Sequence, residues 1–214
     1  MPAFFSSNNK ILNAFGRIAD VVYLSFIWLL FSIPLITIGA STTALYYTVN
    51  KVIRNQRGHV LREFWKSFRS GFLQSTILWL GFLALLFFLR ADLKALEYLG
   101  YDNKILLYIV QGVAIFATLV LVYALCYVAR FTQKLGALLL FTLVMLFSNL
   151  PQTLLLLLVC ALAALMVYTS PLLLIITPGV FGLLANIVLE KVFVKYMTPE
   201  DRDMEEKLNK LDDD

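Results

Sequence analysis

The chain has 214 residues, is 60% apolar and only 15% charged, and carries a net charge of +4. Globular domains hold roughly 25% charged residues, so a soluble enzyme or soluble binding domain is excluded, and nothing is left over for a second folded domain. Leu135 to Leu189 alone runs 55 residues without Asp, Glu, Lys, Arg or His, whereas one bilayer crossing needs only about 20.

Four uncharged runs organise the chain: Val21–Asn50, Ser70–Leu89, Ile105–Ala129 and Leu135–Leu189. The first begins with an apolar stretch, Val21–Ala40, that exceeds the about 7–15 residues of a signal-peptide core and contains Pro34, so it reads as membrane segment rather than leader. Pro34 removes a backbone donor and clashes with the carbonyl of Leu30, which predicts a kink or a stop. Ser32 to Ala40 is therefore either a broken helix or a tight hairpin. Irregular backbone at membrane depth survives only under cover of protein or a wet cavity, which makes Pro34, Thr37, Gly39, Thr42 and Thr43 a candidate structural break or polar site. Ser41, Thr42, Thr43 and Thr48 suit a helix packed inside a bundle, where small and hydroxyl residues let backbones approach.

The next segment, Lys51 to Arg69, carries Lys51, Arg54, Arg57, Arg62, Lys66 and Arg69 against the single acid Glu63. Leu61, Phe64, Trp65, Phe68 and Phe72 recur at three-to-four spacing, with Arg62, Lys66 and Arg69 on another face. That pattern predicts an interfacial or docking helix, aromatics in the acyl boundary and cations toward anionic lipid headgroups. The excess of cations on the cytoplasmic side already accounts for the cluster, so nucleic acid is not an expected partner.

Ser70–Leu89 and Ile105–Ala129 each fit one crossing, joined by Arg90–Lys104, whose charges sum to zero. Arg130 to Lys134 is a weaker basic echo. Leu135–Asn149 is expected to lie along or enter the membrane before Pro151 starts a new helix. Pro171, in Tyr168-Thr169-Ser170-Pro171, marks the turn into the last one. The turns at Ser32–Gly39 and Ser170–Gly179 share Ser, Pro, Thr and Gly, as inverted repeats would. Beyond Met197, Thr198-Pro199-Glu200-Asp201 has the form of a helix start. Eight acids against Arg202, Lys207 and Lys210 leave that tail at −5.

The expected fold is all-α: a polytopic helical membrane protein with six membrane segments, the second short and following the Pro34 break, or with five. Residues 1–197 form the helical transmembrane domain and 198–214 an acidic cytoplasmic tail. Five crossings place thirteen of the eighteen cations inside; six place fifteen inside and only Arg90, Lys94 and Lys104 outside. The stronger bias favours six, and both arrangements put the basic loop and the C-terminus in the cytoplasm.

Catalytic chemistry has no foothold in the pattern. His59 is the only histidine, and no His, Cys and carboxylate cluster has metal-ligand spacing. Cys126 and Cys160 sit in apolar runs and read as small hydrophobes. No Gly-rich phosphate loop and no serine beside a base is present. Carboxylates, the usual mark of ion-coupled transport, are missing from the span centres, and Asp20 and Glu190 lie at span ends. Gln111, Asn149, Gln152 and Asn186 read as bridges between helices. No catalytic residue, cofactor or metal is expected.

The stretch from Leu29 to Tyr47, with its core Pro34-Leu35-Ile36-Thr37-Ile38-Gly39, resembles the YesL-like family of bacterial membrane proteins. So do Val60 to Arg69 and Asn149-Leu150-Pro151-Gln152-Thr153-Leu154, which extends the likeness over nearly the whole chain. The resemblance implies a domain of unknown function found mainly in Firmicutes, in the plasma membrane. Its genes often lie beside sugar ABC-transporter components and membrane sensor kinases. It also implies importance for Pro34, Thr37, Gly39 and the Phe64/Phe68 helix. Three readings follow. The first is a non-enzymatic accessory or regulatory component of a carbohydrate ABC uptake or sensing system, with a sugar ABC permease or sensor kinase as partner. The second is a small stand-alone transporter or channel for a polar solute, and the third a purely structural or lipid-interacting protein.

Overall fold

The computed structural model describes residues 3–98, 104–131 and 134–197. The acidic tail, the centre of the Arg90–Lys104 connection, and Thr132 and Gln133 lie outside the described residues. Among those described, regular structure is helical throughout, with no strand.

Helix α1 (Ala3–Phe31) stops where Pro34 requires. Ser32 donates its backbone N–H to Trp28 at 2.9 Å, closing the last turn, and Pro34 adopts an extended conformation. A single 3₁₀ turn, Leu35–Thr37, leads into α2 (Ile38–Thr48), which passes into a π-helical turn at Val49–Arg54. The Thr37 hydroxyl lies 2.5 Å from the carbonyl of Phe31 and 2.6 Å from that of Pro34. It thereby supplies a donor to carbonyls that the helix end leaves without one. Trp28 on α1 donates to Thr42 on α2 at 3.3 Å. The break is thus a hairpin, with α1 and α2 side by side.

Helix α3 (Val60–Tyr98) is one uninterrupted helix of 39 residues. The sequence separates an amphipathic segment before Ser70 from a span after it; the backbone makes no such division. Nothing between them breaks a helix, since neither proline nor a cap is present. At 1.5 Å per residue α3 is about 58 Å long, well beyond a hydrocarbon core of about 30 Å, so it also absorbs residues expected in the flanking connections.

Helix α4 (Lys104–Arg130) returns, and α5 (Leu135–Ser148), at 14 residues, is too short to cross upright. Both ends of α5 lie toward the C-terminal ends of α4 and α7. It starts just past Arg130 and finishes where Asn149 donates to the Tyr196 hydroxyl at 3.1 Å. Asn149 and Pro151 separate it from α6 (Leu150–Thr169), as the proline predicts. Ser170 and a 3₁₀ turn at Pro171–Ile175 then lead into α7 (Thr177–Tyr196). The second proline turn therefore repeats the form of the first: helix, extended residue, 3₁₀ turn, helix.

Among the described residues, four helices are long and apolar enough to cross a membrane: α3 over Val60–Ala95, α4, α6 and α7. Large apolar side chains such as Leu73, Phe87 and Leu154 are at least 65% exposed. An apolar exterior on that scale would aggregate in water and is at home against lipid. The chain is a multi-pass helical membrane protein. Its interior has two centres. One joins α1, α2 and the start of α3 around Leu24, Ala44, Val49 and Phe64; the other joins α4 to α7 around Tyr123, Leu138, Leu156 and Phe193.

Candidate functional site

The five residues of the Pro34 segment do not converge on one cavity. Pro34 is exposed, and Thr37 is occupied in closing the α1–α2 turn. Gly39 is where α2 meets α3. A Cβ there would lie 2.5 Å from the Ser75 carbonyl oxygen and 2.7 Å from the Trp79 Cβ, so only glycine permits the approach. Thr42 donates back to Ile38 at 2.8 Å and accepts from Trp28. Together with Trp28, Tyr168 and Pro178 it walls a groove of about 590 Å³ whose lining is almost entirely apolar. Thr43 points the other way, sharing a 2.7 Å hydrogen bond with Ser75 of α3 and donating to the Leu125 carbonyl of α4 at 3.2 Å.

At the start of α3 the aromatic stripe divides. Phe64 is fully buried and Phe68 nearly so, their rings 5.4 and 5.2 Å from Phe31 of α1. They form the chain's own interior. Leu61 and Trp65 remain about half exposed, and Arg62, Lys66 and Arg69 are exposed. Trp65 stacks on Phe68 at 5.8 Å with its outer face open. Glu63, the one acid of the segment, is buried and paired with Lys51 at 3.1 Å.

A second polar assembly joins α2, α4 and α7. Arg130 and Glu190 form an ion pair at 2.5 Å with only 15% and 12% of their side chains exposed. The Tyr46 hydroxyl donates to the other carboxylate oxygen at 3.3 Å. Arg54 donates to the fully buried Asn186 at 2.6 Å. Lys195 and Tyr196 meet Asn149 nearby. Glu190, placed by sequence at a span end, is thus a partner inside the bundle. The only signal for this was position: Arg130 directly follows one uncharged run and Glu190 directly follows the next. Asn149 and Asn186 do bridge helices, as their setting in apolar runs predicts.

Between α2, α3 and α4 lies a pocket of about 260 Å³, lined among others by Tyr47, Lys66, Ser67, Ser70, Ala129 and Arg130. Lys66, placed by its spacing on an open helix face, is exposed and also borders this recess. Cys126 and Cys160 are free thiols, the former buried. No group of three or more His, Cys, Asp or Glu among the described residues is placed to hold a metal ion.

Residues 21–93 match a family model described as protein of unknown function, DUF624, consistent with the resemblance to the YesL-like family. The match covers about a third of the chain and runs from the second half of α1 through most of α3. It therefore takes in the Pro34 hairpin and the aromatic-basic start of α3, while Asn149 to Leu154 fall outside it. No curated protein and no solved structure matches the chain significantly.

Proposed function

We infer that this protein is a non-enzymatic accessory or regulatory component of a carbohydrate ABC uptake or sensing system in a bacterial plasma membrane. The observation that carries the non-transporting part is the use made of the polar residues around Pro34. Thr37, Thr42 and Thr43 each bond within the chain and face different ways, so they offer a solute no common site. The carbohydrate setting rests on the family resemblance alone. A sugar ABC permease or a sensor kinase is the partner this reading proposes.

The surface proposed for docking is the part of α3 that stays open: Leu61, Arg62, Trp65 and Arg69. Phe64 and Phe68 are unsuitable probes, because truncating a buried Phe costs about 3–5 kcal/mol and would break complexes by unfolding. Six crossings fit best, with both chain ends in the cytoplasm. α1, α2 with its π turn, α3, α4, α6 and α7 each traverse, while α5 enters and ends on one side. Affinity capture from native membranes, comparing the wild type with a Trp65→Ala, Leu61→Ala variant that still inserts, tests the docking surface. Loss of a permease or kinase only from the variant supports the reading; equal recovery from both refutes it. The alternative, a small transporter or channel, requires solute flux from liposomes containing the protein alone, abolished by Thr43→Val.

A further inference from the structure

We propose that the recess between α2, α3 and α4 is a binding site for the phosphate headgroup of an anionic phospholipid, with Lys66 as its principal cation. Two cations line it, Lys66 from α3 and Arg130 from α4, and no carboxylate does. Arg130 is neutralised by Glu190. Lys66 has no ion-pair partner among the described residues. It shares the lining of the recess with Ser67 and Ser70, whose hydroxyls can donate to phosphate oxygens, while the Tyr47 hydroxyl is engaged with Lys51 and Glu63. Ser70 at present donates only to the Ser67 carbonyl one turn back, at 3.1 Å, a bond a rotor can exchange for an external acceptor.

The remaining lining identifies the anion as part of an amphiphile. Gly71, Val128, Ala129 and Phe131 form an apolar wall that a freely dissolved phosphate would not use and an acyl-linked glycerol would. Position agrees with this. Arg130 is the last residue of α4, and Lys66 precedes the uncharged run of α3 by one turn, the depth at which headgroups meet a span. A cavity of about 260 Å³ admits a phosphate and its ester carbons while the chains lie outside along α3 and α4. The inference is independent of the carbohydrate reading, since it concerns the bilayer and not a protein partner.

Native mass spectrometry of the full chain released from detergent, with phosphatidylglycerol or phosphatidylcholine added, tests it. Retention of phosphatidylglycerol over phosphatidylcholine is expected, with one lipid dominating. Lys66→Gln should weaken that retention about five-fold, the size expected for one cation facing an anionic headgroup. Lys191→Gln, an exposed cation of α7 outside the recess, should leave it unchanged, and Lys66→Arg should restore most of it. Ala129→Trp, which fills the recess without altering charge, should abolish it. Equal losses in Lys66→Gln and Lys191→Gln would mean diffuse surface attraction and overturn the site. Displacement of the lipid by millimolar inorganic phosphate would assign the recess to a soluble anion and overturn it as well.

Discussion

Gly39 and Gly81 lie on neighbouring helices and respond oppositely to the same substitution. A methyl group at Gly39 would collide with the Ser75 carbonyl and the Trp79 Cβ, whereas Gly81 has nothing within 4 Å. Gly39→Ala should lower stability by about 1–3 kcal/mol, the usual penalty for overpacking, and Gly81→Ala should be neutral or raise it by up to about 1 kcal/mol through helix propensity. Thermal melts of the two variants in one detergent check this. Glu190→Gln leaves the Arg130 guanidinium poorly paired and should cost about 3 kcal/mol, the low end for a broken buried pair because some exposure remains. The double variant Arg130→Met, Glu190→Leu should recover most of that loss in the same melts. Sequence singled out Gly39 as part of a break or polar site after Pro34, but not as the point where α2 meets α3, because the helix opposite is not written in local spacing. It could not pair Arg130 with Glu190, since 60 residues separate them and periodicity within a helix carries no information about which helix lies opposite.

At the scale of elements, backbone chemistry was the readable part. Pro34, Pro151 and Pro171 each stand at a helix boundary because the missing N–H and the ring act locally, whatever the tertiary setting. The hydroxyl that completes the first boundary is equally local, and Thr37→Val should cost about 1 kcal/mol, with Thr37→Ser close to wild type; hydrogen exchange of the 32–38 amides against the rest of α2 measures it. Two things escaped. The π turn at Val49–Arg54 has no recognisable residue signature, and Arg54 at its end donates to Asn186 on α7. The division of Phe64 and Phe68 from Trp65 also escaped: Phe31 touches all three rings, yet Trp65 stays half exposed while the other two are buried. Helical spacing gives the stripe; only the neighbour decides how much of it is interior.

For the molecule as a whole, composition alone established an all-helical membrane protein, because no soluble core can absorb so many uncharged residues. The number of crossings was less accessible, since it depends on whether a short segment such as α2 or α5 traverses, and that is fixed by what it packs against. The six-crossing arrangement predicts that cysteines at Arg17, Asn55 and Lys195, in a background lacking Cys126 and Cys160, are labelled from one side of the membrane. Cysteines at Ile33 and Tyr168, both well exposed, should be labelled from the other; labelling of Ile33 and Asn55 from the same side would overturn it. One feature of the architecture has mechanical meaning. α3 is gripped between Gly71 and Ser75, where Gly39 and Thr43 of α2 and Val128 of α4 lie against it. That grip is a fulcrum set off-centre on a stiff rod. The N-terminal arm, Val60 to Gly71, is about 17 Å long and the opposite arm, Ser75 to Tyr98, about 35 Å. Rotation about that point carries Tyr98 roughly twice as far as Val60 and in the opposite direction.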